Sequence, residues 1–218
     1  VGMNGLVAKQ LYLDHKYPKD KLFDIEALRY AHLAGSSQKK FNSKNRTQKT
    51  PVILVLGGYV KQDTLQQIIL LSTAMRLLGT SINVILKPHP ACPIQAEDFP
   101  DFHMKITLEP IFELVGKCDL VYTGSETSAA VEAYCMGKQV VTRLDPKTLN
   151  MSPLKNNKGV LFVSTSKEMA AVLKRVCQMK NIDKQGADYF YLDAELPRWR
   201  SLFFNSSTFA KDISLKFA

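Results

Sequence analysis

Short apolar runs and stretches with helical spacing alternate along the middle of the chain. Residues 52–56 (VILVL) are a continuous aliphatic, β-branched run ending at Gly57-Gly58, as in a strand buried on both faces and followed by a tight turn. The pattern then predicts a helix capped by Asp63 or Thr64 and ended by Gly79. A strand over 82–86 (INVIL) runs into Lys87-Pro88-His89-Pro90, and 91–101 is loop. A short strand at 105–108 and a short helix over 111–115, opened by Pro110, come next. Further strands fall at 119–122 (DLVY), 139–144 (QVVTRL) and 159–163 (GVLFV). Helices fall at 126–136, closed by Gly137, and from a Ser166 cap to about 179. This alternation predicts an α/β fold: a Rossmann-like, doubly wound, mostly parallel sheet over 46–185.

The two ends read differently. Residues 22–33 (LFDIEALRYAHL) have the periodicity of an amphipathic helix, and GSSQKKFNSKNRTQK after them is polar and basic, a flexible linker. Residues 1–45 are therefore expected to be a helical extension with a basic linker. Residues 186–218 include the aromatic-rich YFYLDAELPRWRSLFF, expected to form a helical tail that packs on the domain or on a partner domain missing from this chain.

The 218 residues carry a formal charge of +9, with a pI of about 9.3. That suits polyanions, acidic membrane surfaces or phosphorylated ligands. Basic residues cluster only at 38–49, and neither an aromatic-interleaved RNA-binding pattern nor zinc-finger spacing occurs, so nucleic acid is not the expected partner. Cys92, Cys118, Cys135 and Cys177 form no CxxC pair and read as reduced core cysteines of a cytoplasmic protein. No apolar run approaches the roughly 18 residues of a membrane span. No signal peptide is visible in VGMNGLVAKQ, and the lack of an initiator Met leads us to expect a piece of something longer.

Two loops carry candidate chemistry. Residues 121–141 read VYTGSETSAAVEAYCMGKQVV: a strand, a loop of small and hydroxyl residues, then a helix. Gly124, Ser125, Thr127 and Ser128 would set backbone N–H groups, hydroxyls and a positive helix end at one point, as a phosphate site requires. Gly124 would also allow a backbone angle other residues resist. An ordinary βα turn with a Ser or Thr cap is the plain alternative. Glu126 would face solvent or a sugar hydroxyl. Glu132, one helical turn past Ser128, could accept from ribose hydroxyls or be a solvated helix glutamate. In the second loop, Lys87-Pro88-His89-Pro90 ends a parallel strand, where open α/β sheets bind ligands. Its prolines restrict His89, which with Lys87 could bind a phosphate oxygen or be structural. Gly57-Gly58-Tyr59 resembles the first βα turn of a nucleotide-binding fold. It is neither GxGxxG nor a Walker A sequence, so no NAD is implied. Arg143, Asp145, Asn150, Ser152 and Lys155 could close over the site or serve turns. No HExxH, DxD or GxSxG motif occurs, and no metal site is expected.

KPHP followed by TGSETSAAVEAYCMGKQVV resembles the paired HP and Ser motifs of bacterial GT-B glycosyltransferases, among them the CMP-sugar-dependent sialyl- and Kdo-transferases of capsule and lipopolysaccharide synthesis. EAYCMGKQV is also similar to the Glu-Ala-x-x-x-Gly-Lys-x-Val pattern of UDP-GlcNAc 2-epimerases, but Thr127-Ser128 stands where those have Gly-Gly. ALRY, KPHPACPI, LNMSPLKNNKGVLFVST and ELPRWRSLF resemble a surface-carbohydrate biosynthesis family over nearly the whole chain. The resemblance implies a GT-B donor-binding half. His89 would contact the donor phosphate as the catalytic residue, Lys87, Gly58, Gly124, Ser125, Thr127 and Ser128 would bind beside it, and Glu132 would take the ribose. It implies no cofactor, a nucleotide-sugar substrate with CMP-sugar favoured over UDP-sugar, and a glycan or lipid-linked acceptor. It also implies an acceptor domain missing from this chain and peripheral contact with the inner membrane. A non-catalytic nucleotide- or polysaccharide-binding module, a CDP-glycerol-type phosphotransferase and an epimerase-like enzyme are the alternatives.

Overall fold

The computed structural model describes residues 1–34, 50–178 and 189–204. In chain order the elements are β1 (Gly2–Met3), α1 (Leu6–Asp14), β2 (Phe23–Asp24), β3 (Val52–Leu56), α2 (Lys61–Leu78), β4 (Asn83–Lys87), β5 (Lys105–Ile106), α3 (Ile111–Lys117), β6 (Leu120–Thr123), α4 (Ala129–Cys135), β7 (Val140–Arg143), β8 (Val160–Val163), α5 (Ser166–Cys177) and α6 (Pro197–Phe204), with short 3-10 turns between some of them. They divide into two compact units, residues 50–178 and residues 1–34 with 189–204.

The larger unit is a six-stranded parallel sheet in the order β5-β4-β3-β6-β7-β8. The chain lays β3, β4 and β5 outward in one direction, then returns to place β6, β7 and β8 on the other side of β3. This is the doubly wound Rossmann-like arrangement, and its switch point lies between β3 and β6. Ile53, Val55, Leu120, Tyr122, Val141 and Val163 pack with Ile68, Leu71 and Ala74 of α2 and Met169, Leu173 and Val176 of α5 in one core cluster. Leu54, Val121 and Val140 alternate with them and are fully buried, facing the opposite side where α3 and α4 lie. Burial on both faces is why these strands read as unbroken apolar runs.

Gly79 and Gly137 adopt left-handed φ of 64° and 74°, ending α2 and α4 as their positions predict. Three expected caps differ. Neither Asp63 nor Thr64 caps α2: the helix starts at Lys61, with Val60 at the cap position and no side-chain cap bond. Thr64 instead lies inside the first turn, its hydroxyl turned back to the Gly58 amide. Thr165, not Ser166, caps α5, accepting from the Glu168 amide in a capping box. α4 begins at Ala129, three residues later than expected, and Ser128 at its cap position makes no side-chain cap bond.

In the smaller unit β1 and β2 pair in parallel. The amphipathic helix expected over 22–33 does not form. Its residues give β2 and a 3-10 turn over Leu28–Leu33. Non-local bonds override the local periodicity. Phe23 donates to Val1 O, Ala27 donates to Tyr191 O, and the Glu26 carboxylate receives the N–H groups of Arg198 and Trp199 at the start of α6. The tail thus docks beside the amino-terminal extension. The linker and the basic cluster of 38–49 lie outside the described residues.

Candidate functional site

Register fixes the row in which three strands end. Leu56 pairs with Lys87 on one side and with Thr123 on the other. The next row therefore holds Gly57, Pro88 and Gly124, with strand spacings of about 4.8 Å. Sheet order thus brings Gly57-Gly58, His89 and the 124–128 loop side by side at the carboxyl end of the sheet, around its switch point.

The β3 and β4 ends are fitted to each other. Gly57 donates to the Lys87 carbonyl at 2.9 Å. A Cβ at Gly57 would stand 3.2 Å from Pro88 Cα and 3.4 Å from His89 N, so a side chain there would push the two turns apart by a few tenths of an ångström. The Gly58 amide donates to Thr64 Oγ1 at 3.0 Å, which fastens the turn to α2. His89 is half-buried, and its Nδ1 accepts the Ala91 amide at 3.1 Å. Its carbonyl accepts from Cys92 N at 2.9 Å, closing a turn around Pro90. The Tyr59 ring stands against the His89 ring with centroids 5.5 Å apart and planes 80° apart. The Lys87 ammonium donates to the carbonyls of Leu108 (3.1 Å) and Glu109 (2.7 Å), so it braces the loop after β5.

After β6, Thr123 is fully buried, its hydroxyl 3.3 Å from that of Thr142 on β7. Gly124 and Ser125 are half-buried, while Glu126 and Ser128 are exposed. Thr127 Oγ1 accepts the Ala129 amide at 3.3 Å and ties the loop to α4. Gly124 departs from expectation: its φ is not left-handed, since the strand runs into the loop without a reversal there. No atom lies within 4 Å of where its Cβ, or that of Gly58, would stand, so each leaves open space beside the backbone. Glu132 is half-buried on the first turn of α4. Burial, with the Glu132 carboxylate nearby, pushes the Cys135 thiol up to about 12, so this cysteine is an inert protonated thiol. None of the four cysteines forms a disulfide.

The loop after β7 spends its polar groups on its own turns. Asp145 accepts from Lys147 N, Asn150 from Ser152 N, and the buried Ser152 from Leu154 N. Lys155 is exposed. Arg143 is half-buried near the Tyr122 hydroxyl, a group that burial holds well above the ordinary phenol range.

Gln67 escaped the sequence reasoning. It is buried on α2, and its amide donates to the carbonyls of Tyr122 (2.9 Å) and Leu56 (3.5 Å), bridging the two strands that flank the switch point. The available signal was a glutamine at a position sharing the helix face of Thr64, Ile68 and Leu71.

A recess of about 930 Å³ lies at the other end of the sheet, lined by residues including Val52, Arg76, Asn83, Phe102 and His103. It is shallow, and none of the strand-end residues lines it. Topology, not this recess, locates the candidate site. Among the described residues no cluster of three or more His, Cys, Asp or Glu side chains is placed to hold a metal ion. No described helix is long and apolar enough to cross a membrane.

No family model and no curated protein sequence matches the chain. Solved structures do. UDP-GlcNAc 2-epimerase from Neisseria meningitidis, bound to UDP-GlcNAc, matches with a TM-score of 0.57 at 14% identity, over 94% of this chain and 59% of that one. UDP-GlcNAc 2-epimerase from Methanocaldococcus jannaschii matches with a TM-score of 0.55 at 12% identity, over 91% of this chain and 60% of that one. A glycosyltransferase from Rickettsia africae matches with a TM-score of 0.50 at 15% identity, over 94% and 64%. The chain thus spans less than two thirds of each. At these identities the likeness shows the fold: the Rossmann-like α/β architecture shared by GT-B glycosyltransferases and UDP-GlcNAc 2-epimerases.

Proposed function

We propose that residues 50–178 bind a nucleotide-sugar donor through its phosphate at the carboxyl ends of β3, β4 and β6, for glycosyl transfer in the building of a bacterial surface polysaccharide. The observation that carries this is the shared terminal row of Leu56, Lys87 and Thr123, which gathers three loops at the switch point of a doubly wound sheet. With Nδ1 engaged by Ala91, the other ring nitrogen of His89 is the one to meet a phosphate oxygen. The 124–128 loop supplies hydroxyls and approachable backbone opposite, and Glu132 takes the ribose hydroxyls. Because Gly58 N–H is already bound by Thr64, Gly58 contributes clearance, not a donor.

In the transfer an acceptor hydroxyl oxygen bonds to the anomeric carbon. The bond from that carbon to the phosphate oxygen breaks, and the departing nucleotide carries the electron pair. A hydrogen bond from His89 to that oxygen stabilises the developing charge. The acceptor's proton goes to a base on a second domain outside these residues, and the chain alone binds donor without turning it over. The HP and Ser motifs favour CMP-sugar over UDP-sugar. The acceptor is a glycan or lipid-linked glycan, and the +9 charge suits peripheral contact with an acidic inner leaflet. The EAYCMGKQV segment favours, as a second reading, epimerase-like handling of a UDP-sugar, recognisable by inversion at C2 of the donor's own sugar without any acceptor.

Calorimetric titration with CMP, UDP, CDP and GDP tests the site. One nucleotide should bind selectively, and His89→Ala should weaken it about tenfold or more, the effect of losing a hydrogen bond to a charged group. Equal affinity in wild type and His89→Ala would remove His89 from the site.

A further inference from the structure

We propose that Tyr59 is a positioning residue for His89. Together with the Ala91 amide it holds the ring as a single tautomer with its proton on Nε2. His89 then serves as a hydrogen-bond donor to an anionic ligand and not as a base. The inference rests on the donor-phosphate site proposed above.

The tautomer follows from one bond. Ala91 N–H donates to Nδ1 at 3.1 Å, so Nδ1 presents its lone pair and the ring proton resides on Nε2. An Nε2–H cannot accept a proton from an acceptor hydroxyl; it can only donate. The turn 89–92 fixes the backbone of His89 through the Cys92 N–H bond to its carbonyl and restrains the ring at one point, Nδ1, through the Ala91 N–H. A second restraint on the ring comes from another loop. Tyr59 follows the Gly57-Gly58 turn, which is held to β4 by Gly57 N–H on Lys87 O and to α2 by Gly58 N–H on Thr64 Oγ1. From there its ring meets the His89 ring nearly at right angles, a favourable aromatic geometry. The Tyr59 side chain is otherwise 73% exposed. Burial in the core does not explain a tyrosine here; the contact with His89 is what places it.

The test is a double-mutant cycle on nucleotide affinity with Tyr59→Ala, Tyr59→Phe and His89→Ala. Tyr59→Ala should weaken binding about 3- to 10-fold, the worth of one aromatic pair, and Tyr59→Phe should restore it. In the His89→Ala background Tyr59→Ala should have no further effect, because Tyr59 acts through the ring that is gone. Additive losses would show that Tyr59 touches the ligand itself and would overturn the proposal. The ligand-free chain gives an independent readout. Nitrogen NMR of labelled histidine, with the signal assigned by its loss in His89→Gln, should show a pyridine-type Nδ1 and a protonated Nε2. Tyr59→Ala should mix the tautomers and speed exchange of the Ala91 amide. Unchanged tautomer and exchange in Tyr59→Ala would also overturn it. If His89→Ala leaves every nucleotide affinity intact, the donor-site reading fails while the NMR result still decides the role of Tyr59.

Discussion

A methyl group on Gly57 would press on the backbone of Pro88, 3.2 Å away, and backbone cannot swing aside. Gly57→Ala is expected to cost about 1–3 kcal/mol, as for other overpacked positions, and to shift the His89 turn with it. Gly58→Ala and Gly124→Ala meet nothing within 4 Å. Each should leave the unfolding free energy within about 0.5 kcal/mol of wild type. If a phosphate lies against these backbones, both should nonetheless weaken nucleotide binding. Urea denaturation beside calorimetry separates the two effects, and a Gly58→Ala or Gly124→Ala chain that binds as wild type does would place the ligand elsewhere. At this scale the sequence showed which residue types sit at the strand ends. It did not show that the Gly58 amide is engaged by Thr64, or that the Lys87 ammonium reaches the carbonyls of Leu108 and Glu109, because each of those partners lies on another segment.

Helix starts show how far local pattern reaches. Ser164, Thr165 and Ser166 are chemically similar, but only Thr165 stands three residues before a glutamate, a capping-box signature that the expected Ser166 cap overlooks. The structure forms that box: Glu168 accepts the amides of Ser164 and Thr165 while Thr165 accepts the amide of Glu168. Those amides hold the Glu168 carboxyl below its ordinary value. Thr165→Ala should therefore cost about 1 kcal/mol, whereas Ser166→Ala should stay within about 0.5 kcal/mol. Equal losses in urea denaturation would contradict the capping box. Strands were more legible than caps. A strand buried on both faces needs consecutive apolar residues, and that requirement is written fully into 52–56 and more briefly into 120–122 and 140–141.

Across the whole molecule, Glu26 joins pieces 172 residues apart. Burial would raise its carboxyl, but the N–H groups of Arg198 and Trp199 and the Arg198 guanidinium outweigh that and hold it below the ordinary 4.5. Because the folded value is the lower one, its stabilisation is complete above about pH 4.5 and is lost as pH falls through the folded value. Glu26→Gln should lower the stability of the smaller unit at neutral pH by about 1–3 kcal/mol and flatten its acid dependence. Trp199, the single tryptophan, reports this unit by fluorescence. Parallel acid profiles for the two chains would refute the role of Glu26. By itself the sequence determined the α/β class, the succession of strands and helices over 50–178, and the two strand-end loops that carry candidate chemistry. Burial on both faces and turn geometry each act within a few residues and leave a local trace. The tertiary structure alone decided that β4 and β6 both flank β3, that the Glu26 segment binds α6 instead of forming a helix, that Gln67 and Thr64 brace the strand ends, and that Tyr59 meets His89. Sheet order and hydrogen bonds between distant segments depend on the assembled chain, and no local pattern encodes them.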